Sequence, residues 1–81
     1  MAMIVYGTKR YVSDRIVVYS FSPTPDDADV EGVVIADPSD LQGRKIFPVG
    51  ASQKHGEAAL MKAYRHFKST DEWPDNVSHI S

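Results

Sequence analysis

The sequence contains no cysteine. A disulfide scaffold, a thiolate zinc site and a cysteine nucleophile are therefore excluded, and a reducing compartment fits. Long apolar runs are missing as well. The opening "MAMIVYG" has only a few apolar residues and no basic flank before them. That is too short for a signal-peptide core and far too short to cross a bilayer. A cytoplasmic protein without a membrane partner is the expectation. There is no internal repeat and no low-complexity segment. Catalytic fingerprints are absent too. Ser52 lies in "GASQK", which lacks the second glycine of a G-x-S-x-G elbow, and no lysine follows three residues on. No paired carboxylates, no Ser–His pair with an orienting acid and no cofactor fingerprint stand out. A non-enzymatic protein with no catalytic residues, no metal and no cofactor is expected.

The 81 residues form one domain with a single modest core. A domain of this size buries roughly 60% of its unfolded surface, enough to fold alone with little surplus. Apolar residues make up 42% and charged residues 25%, which is globular rather than disordered composition. The net charge of −2 hides a segregation. Lys9, Arg10 and Arg15 outweigh Asp14 near the start. Residues 26–40 then carry Asp26, Asp27, Asp29, Glu31, Asp37 and Asp40 with no base. Residues 44–68 carry Arg44, Lys45, Lys54, Lys62, Arg65 and Lys68 against Glu57 alone, and the tail returns to acid with Asp71, Glu72 and Asp75. Such polarity attracts charged partners or lets segments bridge one another.

Periodicity gives an α+β fold. "AMIVY" and "RIVVYSF" are rich in β-branched and aromatic residues and read as strands. In the second, Val17, Tyr19 and Phe21 alternate with Ile16, Val18 and Ser20, apolar on nearly both faces, as in a central strand. Between them "GTKRYVSD" is long for a tight turn, and Gly7 marks a bulge site in an extended first strand. Residues 22–31 form an acidic surface loop. "GVVIA" is a third strand, "DPSDLQG" a turn containing a helical turn capped by Asp37, and "RKIFPV" a fourth strand that Pro48 confines to an edge. Ser52 caps a helix running to about Lys68, whose stripe Gly56, Leu60, Ala63, Tyr64 and Phe67 faces the sheet. Ser69 and Glu72 have capping-box spacing, Trp73 folds back as a core lid, and the rest of the tail 69–81 packs only in part. The expected architecture is an antiparallel sheet of three to four strands (about 2–6, 15–21, 32–36 and 44–49) packed by one C-terminal helix (about 53–68), in the order β-β-β-β-α.

Four constellations invite a function. His55 and His66 share an azimuth of the helix, but eleven residues separate them by roughly 16 Å, so they cannot share an ion. Ser52 with Gly50 and free helix amides could hold an anion, though capping explains the serine. Asp27, Asp29, Glu31 and Gly32 match the first half of a calcium loop, but Pro38 stands where a bidentate Glu is required. On the far side of the helix Lys54, Met61, Arg65 and Lys68 fall within an arc of roughly 60°, with Lys62 beside them. An adaptable Met ringed by cations suits a partner anchor.

The strand "RKIF", the small turn "GAS" and the helix segment "GEAALMKAY" resemble the strand–helix unit of the arm-type DNA-binding domain of tyrosine recombinases, over about a quarter of the chain. The resemblance implies a sheet laid in the major groove. Strand two, "IVVYSF", is apolar where groove reading needs basic and polar side chains, and the acidic loop repels phosphate. The chain is therefore not assigned to that family. The expectation is a small regulatory, adaptor or phage-type inhibitor protein that binds a protein partner. Met61, Lys54, Lys62, Arg65 and Lys68 on the helix and Asp27, Asp29 and Glu31 in the loop would make the contacts. A homodimer is a natural variant, through the loop of one protomer against the helix of the other or through "RKIF" pairing across a two-fold axis. The alternative is nucleic-acid binding through Arg44, Lys45, Lys54, Lys62, Arg65 and Lys68.

Overall fold

The computed structural model of the chain describes residues 4–24, 30–48 and 50–80. Its elements are β1 (Ile4–Val12), β2 (Val17–Ser22), β3 (Gly32–Asp37), β4 (Asp40–Phe47), α1 (Gln53–Thr70) and β5 (Asn76–Ile80). All strand pairs are antiparallel, and the sheet order is β4-β3-β2-β1-β5. The α+β class stands, but the sheet has five strands and the order is β-β-β-β-α-β. The fifth strand is the tail, which lies along β1 with Val77 opposite Gly7 and Ile80 opposite Ile4. "NVSHI" is too short to announce itself, and the pairing is made by a strand some seventy residues away.

β2 is central, as its two-sided apolar pattern requires, and β4 is an edge, as Pro48 requires. Val17, Tyr19 and Phe21 are buried toward α1, together with Val34 and Ala36 of β3 and Val5 of β1. The helix answers with Gly56, Ala59, Leu60 and Ala63, all buried. Gly56 belongs there because the strands come close. A Cβ at that position would lie 2.9 Å from Ile46 Cδ1 and 3.0 Å from the Phe21 ring.

Other boundaries differ from the sequence reading. β1 runs on through "GTKRYV" to Val12, and its register shift falls between Lys9 and Tyr11 rather than at Gly7. β4 begins at Asp40, so "DPSD" is a tight hairpin and not a turn with helix in it. Asp37 Oδ1 accepts from the Ser39 backbone N–H (2.8 Å) and hydroxyl (2.7 Å). These bonds hold its carboxyl below the usual range. The helix continues to Thr70. Ser69 and Thr70 bond back to the His66 carbonyl, and Asp71 closes the helix in the left-handed region at φ 63°, its N–H donating to Phe67 O. The capping box at Ser69 and Glu72 does not form, because the chain is leaving a helix there and not entering one.

Trp73 is the expected lid. It stacks on Phe67 with ring centroids 4.7 Å apart and planes 10° apart. Beneath it the Tyr19 hydroxyl donates to the Pro74 carbonyl. Burial first, and the negative charge of Asp75 second, push the Tyr19 phenol well above its ordinary value of 10.0. Lys9 completes the clasp. Its amide donates to Asp75 O (2.8 Å), and its ammonium reaches the Asp75 carboxylate (2.9 Å) and Trp73 O (3.3 Å).

Two outcomes follow. Between pH 10 and the folded-state pKa, Tyr19 ionises in the unfolded chain but stays neutral in the fold, so stability falls as pH rises. Tyr19→Phe is expected to be less stable than wild type at neutral pH by about 1 kcal/mol, the value of the lost hydrogen bond. That gap narrows and then reverses above pH 10, as pH-series thermal melts will show. Gly32→Ala would drive a Cβ into the backbone carbonyl of Phe47 on the adjacent strand. It is expected to cost about 1–3 kcal/mol in chemical denaturation.

Candidate interaction surface

The N-terminus of α1 is held by two side chains. Ser52 accepts from the His55 N–H at 3.3 Å, as a cap should. Glu31 comes from the entry to β3 and does more. Its Oε2 accepts from the Ser52 N–H at 3.1 Å, and its Oε1 pairs with His55 Nδ1 at 2.7 Å. The Glu31 amide also donates to Phe21 O. Glu31 is thus a fixture joining sheet to helix. His55 is not an idle surface histidine but its partner, and the carboxylate at the helix start, where an external anion could have been held, is supplied by the protein itself. A capping acid normally sits three residues into its own helix. This one lies 21 residues upstream of Ser52, so no local pattern could reveal it.

From that anchor α1 presents its outer face. Lys54, Met61, Lys62 and Arg65 are exposed, Met61 at 39%, and Lys68 is exposed at the far end of the same face. The Lys68 ammonium lies 5.9 Å from the centre of the Tyr64 ring. Among the described residues none of these four cations is in an ion pair. The acids at the start and flank of the helix are engaged elsewhere: Glu57 meets Arg44 at 3.1 Å, and Glu31 meets His55. The helix therefore carries Met61 amid unneutralised positive charge.

The remaining candidate residues are not gathered on this face. Arg44 is bound to Glu57 and donates to Leu41 O at 3.1 Å. With Lys45, Gln42, Gln53 and Glu57 it lines a polar groove of about 400 Å³ at the β4 edge. The six cations thus divide into an edge pair, half neutralised, and the helix set. Asp27 and Asp29 lie outside the described residues. His66 is exposed, and His79 lies on β5 opposite Val5. Among the described residues no three His, Asp or Glu side chains come together as a metal site, and no helix is long and apolar enough to cross a membrane.

A surface that the sequence reading missed lies on the other side of the sheet. Alternation away from the α1-facing residues puts Tyr6, Thr8, Val18, Ser20, Val33 and Ile35 there. Arg10 crosses this face to donate to Ser20 Oγ at 2.9 Å. Beside it Val30, Val33, Phe47 and Pro48 line an apolar cavity of about 520 Å³. Compared with known proteins, the chain matches no family model, no curated protein and no solved structure.

Glu31→Ala removes the carboxylate from both partners. It is expected to destabilise the fold by about 1–3 kcal/mol, as loss of charge-assisted bonds does. In a double-mutant cycle with His55→Ala the two effects should fall short of additive, reporting the direct contact. Strict additivity in urea unfolding would mean that the pair contributes nothing jointly.

Proposed function

We propose that the protein is a small non-catalytic interaction module that presents the outer face of α1 to an acidic protein partner. One observation carries this reading. Met61 is exposed on a helix fixed at both ends, among Lys54, Lys62, Arg65 and Lys68, none of which is neutralised by a described acid. A flexible thioether supplies the adaptable apolar contact, and the cations supply steering and orientation. The face is preorganised, so little ordering cost falls on binding. Regulatory, adaptor or inhibitor roles all use such a surface.

Nucleic acid is the second reading, favoured by the same cations, because the one acid of the helix, Glu57, is paired with Arg44. The two differ in what Met61 contributes and in salt dependence. Phosphate binding through four cations loses affinity with a log–log salt slope of about −3 to −4, and it is indifferent to Met61. Fluorescence anisotropy can separate them, using a labelled acidic peptide with apolar residues between its glutamates and labelled single- and double-stranded oligonucleotides. The peptide is expected to bind. Met61→Ser should weaken it about tenfold, the equivalent of roughly 1.4 kcal/mol. Lys62→Glu/Arg65→Glu should abolish binding. Tight oligonucleotide binding with the steep salt slope, unchanged in Met61→Ser, would give the surface to nucleic acid instead.

A further inference from the structure

β1 and β3 are both antiparallel to β2, so the hairpins that follow them leave the sheet at the same end. Between those hairpins and the end of α1 lies a cavity of about 380 Å³. It is lined by Val12, Ser13, Asp14, Pro38, Phe67 and Trp73. The lining has two parts. Phe67 and Trp73 are stacked with their planes 10° apart, and Val12 and Pro38 add aliphatic surface. Asp14 is the one charged residue of the lining, and it is exposed. Among the described residues its carboxylate is in no ion pair.

The surroundings lean to the same sign. Asp37 precedes Pro38, and Asp71 and Glu72 precede Trp73. The carbonyl end of α1 adds its partial negative charge. On the other side of the balance, Arg15 adds its charge to the Ser39 hydrogen bonds that lower the Asp37 carboxyl, and Lys68 follows Phe67. Lys9 and Asp75 neutralise one another.

We propose that this cavity receives the arginine side chain of a protein partner. Apolar walls reward a methylene stem, and a carboxylate at their margin rewards a cationic head. A guanidinium adds a planar fork, which packs against aromatic rings and meets a carboxylate with two N–H groups. An acidic side chain would face Asp14 and the helix carbonyls with the wrong sign. A neutral apolar one would strip water from Asp14 and give it no partner. The volume lies near the lower end of small-molecule sites, roughly 300 Å³, and so suits one side chain better than a cofactor. The site shares no residue with the cationic face of α1 and selects the opposite charge. Either proposal can therefore fail alone.

Trp73 is the only tryptophan, so one indole N–H resonance reports on the cavity. The test is an NMR titration of the isotope-labelled chain with N-acetyl-arginine N-methylamide at constant ionic strength. Saturating shifts of the Trp73 indole and of the Ser13 and Asp14 amides are expected, with a Kd of roughly 1 mM for a single side chain. The citrulline analogue has the same shape without the charge and should bind about tenfold more weakly. Asp14→Asn should weaken the arginine compound by about the same factor. Asp14 is exposed and unpaired, so this variant keeps the fold, as an otherwise unchanged spectrum will show. Met61→Ser, on the helix face, should bind as wild type does. Absence of saturating shifts at the three reporter groups overturns the proposal. So does equal binding of the citrulline analogue, full affinity in Asp14→Asn, or loss of binding in Met61→Ser.

Discussion

The hydroxyl of Tyr19 is the constraint on which much of this small fold turns. A phenol at the centre of the middle strand is fully buried, and its O–H must find an acceptor there or cost its full desolvation. The acceptor is the Pro74 carbonyl, which belongs to the segment after the helix. Meeting that requirement draws the tail back across the core and seats Trp73 on Phe67. The chain is then aimed along β1. Lys9 holds the same segment from the neighbouring strand, through backbone and side chain together. β5 is the consequence, and it closes the edge that β1 would otherwise leave unpaired.

The second organising feature is the pairing of acids. Glu31, Glu57 and Asp75 meet His55, Arg44 and Lys9, and each pair ties two elements together. These contacts join β3 to the helix start, β4 to the helix flank, and β1 to the tail. The charge segregation along the chain thereby becomes internal bridging in part. Among the described residues, the cations it leaves outside ion pairs include the helix set of Lys54, Lys62, Arg65 and Lys68, with Lys45 on β4. The positive face of α1 is therefore not a simple reading of composition; it remains after the structural pairs have formed.

The two outer surfaces differ in kind. The helix face is charged around one apolar residue and suits an electrostatically steered, exchangeable contact. The open sheet face is mixed, with Val18, Val33, Ile35 and Phe47 beside Thr8, Ser20, Asn76 and Lys45, and Arg10 lying across it to Ser20.

Much of the architecture was legible in the chain, for identifiable reasons. The β2 pattern marked a central strand, Pro48 an edge, Ser52 a helix start, the Gly56–Leu60–Ala63 stripe a docking face, and Trp73 a lid. Each depends on neighbours within a few residues. The sequence by itself determined these local elements and which face of each is dry, because period and capping are short-range properties of the backbone. Tertiary structure decided the rest. It made "NVSHI" a strand, extended β1 past its bulge, bound Glu31 to a helix 21 residues away, and separated Arg44 from the helix cations. These depend on which segments meet across the core. That choice is set by burial and by the need to satisfy buried polar groups, which no local pattern encodes.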